Sequence, residues 1–147
     1  MQSQVNMYPM KDVILKIKGT QTVGESEPDV IEMITEGEMD INERRIRLVY
    51  NEDESMDSVQ TELMVDGNKT AMIKRAPSSA NRLVIQKGKR HLCHYIIPQG
   101  EMMIGVFGEK IENTLGETGG ELVLSYTIDI NMGLLSRNQV EISVEVI

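Results

Sequence analysis

Apolar and polar residues alternate along most of this chain with the period of two that a β-strand imposes. The clearest example is 119–130, GGELVLSYTIDI, in which leucine, tyrosine or isoleucine fills every second position from Leu122 onwards. Successive side chains of a strand point to opposite faces, so this pattern predicts one face in a core and one in water. No segment shows a sustained helical period, although 133–139, GLLSRNQ, is predicted to hold a single helical turn.

The alternation predicts about ten strands, with turn signals at the spacing typical of an all-β sandwich or barrel. The strongest turn signals are Asp66-Gly67 and 98–100, Pro-Gln-Gly. Sequential hairpins give an antiparallel meander, and closing it removes the exposed edges of a flat sheet. We therefore expect an all-β fold, an antiparallel closed β-barrel of about 8–10 strands, formed by 12–147 as one domain after a loose lead-in over 1–11. The predicted strands are 13–18, 31–41, 46–50, 59–65, 71–75, 83–85, 90–97, 101–113, 121–130 and 140–146.

The composition excludes several classes of protein. The chain has 147 residues, one cysteine and no long apolar run, so we expect no internal disulfide and no membrane-spanning segment. The first residues lack the basic and apolar regions of a signal peptide, which makes the cytoplasm the expected location. A net charge of -8 argues against general binding to nucleic acid or acidic membranes. With 11 methionines and one phenylalanine, methionine is expected to fill the core or to line a soft cavity.

Five segments together resemble a known family. They are IEMITEGEM (31–39), LVYNEDES (48–55), TELMVDGNKTAMIKR (61–75), HYIIPQGEMMIGV (94–106) and GGELVLSYTIDIN (119–131). Their order and spacing resemble the YwiB-like family of uncharacterised bacterial proteins, a domain of unknown function with a calycin-like, lipocalin-type β-barrel. The resemblance covers roughly 12–146 and implies the fold but no catalytic residue, and calycin-like barrels often hold small apolar molecules. Ile97 and about Gly108 depart from the family pattern, which often has threonine there.

The charges are distributed unevenly. Between Lys69 and Gly100 there is no Asp or Glu, whereas seven Lys or Arg residues and both histidines fall there. Such a block predicts an oriented field and an anionic ligand or an acidic partner. The alternative is that these strands lie beside acidic ones and the charges pair across the sheet, as we also expect between 32–40 and the arginines Arg45 and Arg47. Nucleic acid is not an expected partner, because stacking aromatics are not interleaved with the basic residues.

Arg75 shares its strand phase with Ala71 and Ile73, so its guanidinium is expected in the lumen of the barrel or at its mouth. A buried arginine requires an anion or several hydrogen-bond acceptors. One interpretation is a cavity for a small molecule with an apolar body and an acidic group. The other is an ion pair with Glu32 or Glu36 that plugs one end of a barrel filled by side chains.

Three tyrosines and a histidine complete the predicted ligand-binding set. Tyr50, Tyr95 and Tyr126 share strand phases with apolar residues, so each brings a hydroxyl to the interior or to the rim. Together with Arg75 and His91 they are the residues that we expect to contact a ligand.

His91, Cys93 and His94 lie close together in the sequence. His91 and Cys93 share one face of a strand, and His94 points to the other. Two ligands on one face fall short of the three or four that zinc needs, so no metal and no cofactor is expected. Cys93 and His91 also have the spacing of a nucleophile and a base; the alternative is a buried, inert thiol beside a hydrogen-bonded histidine.

Three functions follow from these patterns. The first is a small-ligand-binding barrel, the second a protein-interaction module that uses the basic strands 69–94, and the third a hydrolase or isomerase. A cavity larger than ~300 Å³ would favour the first, a filled barrel with an exposed basic face the second, and a carboxylate beside His91 the third. In addition, 101–107 is apolar in both phases, which predicts a second buried surface, either a homodimer contact or a cover formed by the N-terminal lead-in.

Overall fold

Ten antiparallel strands account for most of the residues that the computed structural model describes, which are 10–51, 60–76 and 82–147. These residues contain no helix, and so no helix that is long and apolar enough to cross a membrane. The strands are β1 (Lys11–Val23), β2 (Asp29–Asn42), β3 (Arg45–Asn51), β4 (Gln60–Asp66), β5 (Thr70–Ala76), β6 (Arg82–Gln86), β7 (Arg90–Ile97), β8 (Gly100–Asn113), β9 (Gly119–Ile130) and β10 (Gly133–Val146).

The strands form one sheet that curls into a nearly closed barrel. Their order is β6-β5-β4-β3-β2-β1-β10-β9-β8-β7, so strands that follow each other in the sequence pair, except β6 and β7 at the two ends of the sheet, and β1 pairs with β10. The two end strands meet through the turn 87–89, where Gly88 N donates to Gly108 O at 2.9 Å and Gly108 N donates to Lys89 O at 3.3 Å. A Cβ at Gly108 would collide with the carbonyl of Gln86. The glycine thus permits the contact that closes the barrel, and the predicted antiparallel barrel is confirmed.

The core consists of the inward phase of every strand. Leu15, Leu48, Leu63 and Leu124 are among its fully buried members. Each such side chain contributes about 1.5–3 kcal/mol by leaving water. The alternation 122–130 is confirmed at Leu122, Leu124 and Tyr126, and in 101–107 the inward residues are Met102, Ile104 and Val106.

Several sequence expectations require correction. The segment 133–139 forms the start of strand β10, so the predicted helical turn is wrong. β1 extends to Val23 and β2 begins at Asp29, both beyond the predicted bounds. Gln21 pairs with Asp29, and Thr22 and Val23 pair with β10, although the apolar alternation has ended. The expected pairing of charges between β2 and β3 is by contrast compatible with the register, which places Asp40 opposite Arg47. Arg47 also pairs with Glu62 of β4, at 2.7 Å, and Arg45 approaches Asp66 at 3.8 Å. Of the predicted lead-in, 1–9 lie outside the described residues, as does Val59.

Candidate functional site at the open end of the barrel

Among the described residues, one end of the barrel, which we call the open end, leads into a cavity of about 720 Å³. The hairpin turns 24–28, 98–99 and 131–132 surround this end, whereas the turn 87–89 lies at the opposite, closed end. Residues from eight strands line the cavity, namely Gly19, Thr20, Gln21, Asp29, Val30, Ile31, Ile73, Arg75, Leu83, Tyr95, Met102, Ile104, Tyr126, Ile128, Leu135, Ser136, Asn138, Gln139 and Val140. Ligand pockets typically measure about 300–1,000 Å³, so the cavity has the size of a small-molecule site.

A polar stripe crosses one wall of the cavity. Tyr126 lies opposite Asn138, Asn138 opposite Gln21, and Gln21 opposite Asp29, on four neighbouring strands. Gln21 Nε2 donates to Asn138 Oδ1 at 3.0 Å, and Asn138 Nδ2 donates to the buried Ser136 Oγ at 3.0 Å. These hydrogen bonds hold the amides in fixed orientations, and a second acceptor position remains on each amide oxygen.

The remaining wall is apolar. Its side chains come from the short strands β5 and β6 and from β8 and β9, namely Ile73, Leu83, Met102, Ile104 and Ile128. Ile104 and Ile73 are buried, and the other three are partly buried and packed on the core. The cavity therefore presents apolar surface on one side and hydrogen-bonding groups on the other, as a pocket that orients its ligand does.

Arg75 and two tyrosines bring charge and hydroxyl groups to the same cavity. Burial raises the pKa of Tyr126, because an apolar environment disfavours the phenolate. The positive charge of Arg75 acts in the opposite direction and lowers that pKa, while Tyr95 raises it. These effects require that the three groups lie within electrostatic reach of one another. The predicted combination of Arg75, Tyr95 and Tyr126 is thus brought together by the fold.

Tyr50 and His91 lie elsewhere. Tyr50 is buried on β3, where Gly37 gives it room: a Cβ at Gly37 would lie 3.1 Å from Tyr50 Cβ. Thr61 stands between Tyr50 and Arg75 in register, and its buried hydroxyl has no hydrogen-bond partner among the described residues. His91 Nε2 lies 2.7 Å from Gln86 Oε1, close to the turn that closes the barrel. Neither Tyr50 nor His91 lines the open-end cavity.

The residues considered for metal binding and nucleophilic catalysis all lie on β7. Cys93 is a buried free thiol. His94, on the opposite face, has Nδ1 3.7 Å from Glu101 Oε1 at an exposed position. Within 10–51, 60–76 and 82–147, no three His, Cys, Asp or Glu side chains are grouped closely enough to hold a metal ion.

The basic block is divided between the two ends of the barrel. Lys69, Lys87 and Lys89 lie in or beside the turns at the closed end, where Lys87 N donates to Lys69 O at 3.0 Å. Arg75 and Arg82 lie at the open end. Glu32 and Glu36, the expected partners of Arg75, are exposed on the outer phase of β2. The block therefore does not form one continuous face.

The polar stripe was not predicted from the sequence. Ser136 and Asn138 continue the inward phase of Val140 and Ile142, so extending the period of two backwards along β10 would have placed them inside. The interpretation of 133–139 as a helical turn is the reason that the inward position of Ser136 and Asn138 was not predicted. The pairing of Arg90 with Asp129 was also missed, because Asp129 belongs to the phase that was assigned to water.

A second concavity, of about 680 Å³, lies on the outer surface of β9, β10, β1 and β2. It is bordered by Lys16 and Lys18 and by Glu32, Glu121 and Glu141. Exposed charges of both signs interact weakly and select no particular ligand. The interior cavity is therefore the stronger candidate site.

Fold and cavity together define an up-and-down antiparallel β-barrel with one open end. The chain belongs to the family described as Domain of unknown function (DUF1934), which matches residues 15–142. It is also similar to the crystal structure of ywiB protein from Bacillus subtilis, with a TM-score of 0.71 and 19% identity over 97% of this chain and 98% of that chain. The resemblance to the YwiB-like family is thus confirmed, and at this identity it shows the fold alone. A search among curated proteins gives no match.

Proposed function

We propose that the barrel binds a small cytoplasmic molecule with an apolar body and an acidic group in the open-end cavity. The observation that carries this proposal is a cavity of about 720 Å³ that Arg75 and Tyr126 line together with an apolar wall. The apolar body packs against Ile73, Leu83 and Ile104, and the acidic group lies toward Arg75. The stripe from Tyr126 to Gln21 offers hydrogen bonds to a polar edge of the ligand.

The energetics of such binding come mainly from the apolar wall. Burial of apolar surface contributes roughly 25 cal/mol per Å², which must exceed the cost of immobilising the ligand. Arg75 is exposed at the rim, so its contact with an acid is partly screened by water and adds selectivity more than affinity. We favour binding over catalysis because the groups that reach the cavity are hydrogen-bond donors and acceptors, while Cys93 and His91 do not line it.

The test compares two fluorescent probes with the same kind of apolar body. 1-Anilinonaphthalene-8-sulfonate carries an anionic group, and N-phenyl-1-naphthylamine lacks it. We expect both probes to bind the wild type and to compete with each other. Arg75→Gln should weaken sulfonate binding about tenfold, equivalent to about 1.4 kcal/mol, and leave the neutral probe unchanged.

Arg44→Gln is the matched control, because Arg44 is an exposed arginine in the turn between β2 and β3 at the closed end. It should alter the affinity of neither probe. Ile104→Arg, which places a charge on the apolar wall, should abolish binding of both. The proposal fails if neither probe binds the folded wild type, or if Arg75→Gln and Arg44→Gln affect the two probes alike. Native mass spectrometry of freshly purified protein provides an independent check for a retained ligand.

A further inference from the structure

The polar stripe on the cavity wall has opposite charges near its two ends. Asp29 forms one end, at the rim on β2, and its carboxylate makes no ion pair with a cation that the structure describes. At the other end the positive charge of Arg75 acts on Tyr126, which lines the same cavity. A ligand that spans the stripe therefore meets a negative field at one end and a positive field at the other.

Amides and a buried hydroxyl occupy the stripe between these two charges. In the hydrogen bonds from Gln21 to Asn138 and from Asn138 to Ser136, each amide uses one of its two N–H groups. Tyr126 is only 7% exposed, yet its hydroxyl makes no hydrogen bond with a residue that the structure describes. Leaving a buried hydroxyl without a partner lowers stability, so the Tyr126 hydroxyl points to a ligand that supplies the partner.

The length of the stripe indicates the length of its ligand. Tyr126 and Asp29 lie three strand spacings apart, which at about 4.8 Å each is roughly 14 Å along the wall. An extended peptide of four residues covers about 13 Å. Its backbone carries an N–H and a C=O at each residue, and amide side chains are complementary to both groups. Its side chains can then pack against the apolar wall of the cavity.

We propose that the ligand of the open-end cavity is an extended apolar peptide of about four residues with free termini. Its carboxylate lies toward Arg75 and Tyr126, its ammonium group lies toward Asp29, and its backbone follows Gln21 and Asn138. This inference rests on the proposed function and narrows it, since the acidic group becomes a terminal carboxylate and the apolar body becomes side chains. A simple apolar acid would match the Arg75 end alone and would leave Asp29 and the amides without a counterpart.

The test uses the synthetic tetrapeptide Leu-Ala-Leu-Ala, in which both leucines project from the same side of an extended chain. Displacement of bound N-phenyl-1-naphthylamine measures its affinity, corrected for the affinity of each variant for that reporter. In the wild type, amidation of the C-terminus should weaken binding about tenfold, and acetylation of the N-terminus about threefold because Asp29 is exposed to water. Arg75→Gln should remove the effect of amidation alone, and Asp29→Asn the effect of acetylation alone.

Asp12→Asn is the matched control, because Asp12 is exposed at the start of β1, at the closed end. It should leave the effects of both caps as they are in the wild type. A tetrapeptide that does not displace the bound reporter, or whose capped forms bind as tightly as the free one, would overturn this inference and leave the proposed function standing. Equal effects of acetylation in Asp29→Asn and Asp12→Asn would also overturn it. If the reporter itself does not bind the folded wild type, the proposed function fails and this inference fails with it.

Discussion

The two halves of the barrel differ in the length of their strands. Within the described residues, β8, β9, β10, β1 and β2 have 12 to 14 residues, whereas β3 to β7 have 5 to 8. At ~3.3 Å per residue the long strands reach roughly 20 Å further. Pairing between β2 and β3 begins at Gly37 and Tyr50, so 29–36 of β2 extend past the described end of β3. The cavity therefore lies where the long strands extend past the described parts of the short ones.

The largest loss of stability is expected for a substitution in the packed core. Leu124 is fully buried, whereas Ile128, four residues further along the same face of β9, lines the cavity. Leu124→Ala should lower the free energy of unfolding by about 3 kcal/mol, because burial is lost and a void forms. Ile128→Ala should lower it by only about 1 kcal/mol, because one side of the Ile128 side chain already faces the cavity. Urea unfolding with an unchanged m-value measures both. Equal losses would show that the open end is packed like the closed end.

A smaller loss of stability is expected for a substitution at the junction between β6 and β8. In Gly108→Ala the new methyl meets the backbone of Gln86, which cannot move without opening the barrel, so we expect a loss of about 2 kcal/mol. Gly19→Ala is the matched control in a long strand, because a Cβ added there would have no atom within 4 Å and the backbone is compatible with alanine. Its stability should be unchanged or rise by about 0.5 kcal/mol. If both variants behave alike, the glycine contact does not close the barrel.

The short strands show how far the sequence predicts this molecule. In β3 and β4 every second residue is buried, as alternation requires, and the predicted bounds agree with the structure within two residues. Alternation fails at the open end of the long strands, where Gln21, Ser136 and Asn138 face a cavity and need not be apolar. A period of two in hydrophobicity detects packed faces only, so a polar inward face resembles a loop or a helical turn.

The candidate site could be predicted at positions where a charged or polar residue interrupts a row of apolar residues on the inward face of a strand. Arg75 follows Ala71 and Ile73, and Tyr126 follows Leu122 and Leu124, so both were placed inside. Tyr50 obeys the same rule but is covered by the core, and His91 is held by Gln86. The phase of the alternation tells only whether a side chain points to the inner or the outer face of the sheet. Its height along the barrel depends on register and strand tilt, which one sequence does not specify.

A further prediction concerns the ion pair that fastens β7, the last short strand, to β9. Arg90→Gln removes the pair, and Gly105→Ala displaces the guanidinium from above the backbone. Each should lower the melting temperature by a few degrees, and the double variant should lose no more than either single one, since both remove the same interaction. Additive losses in calorimetry would mean that Gly105 matters for another reason.

The same pair gives a pH dependence with a definite sign. The hydrogen bonds from Arg90, and a weaker one from Met132 N, lower the pKa of Asp129 below its ordinary 3.8. Because the pKa is depressed in the folded state, the stabilisation is complete above about pH 4 and is lost as the pH falls through the lowered value. The difference in stability between wild type and Arg90→Gln should therefore vanish in acid. A difference that does not shrink at all as the pH falls below about 4 would contradict the assignment.

The smallest expected effect is a shift in the titration of the Tyr126 phenol, inside the cavity. Burial raises its pKa above the ordinary 10.0, against the opposing charge of Arg75. A raised pKa stabilises the folded protein below pH 10 and withdraws that stabilisation as the pH rises through the folded value. Absorbance titration of the phenolates should include a late step that Tyr126→Phe removes and Arg75→Gln shifts to still higher pH, with Arg44→Gln as the control. If Arg75→Gln leaves the step unchanged, the charge of Arg75 does not reach the cavity wall, and an acidic ligand loses its partner there.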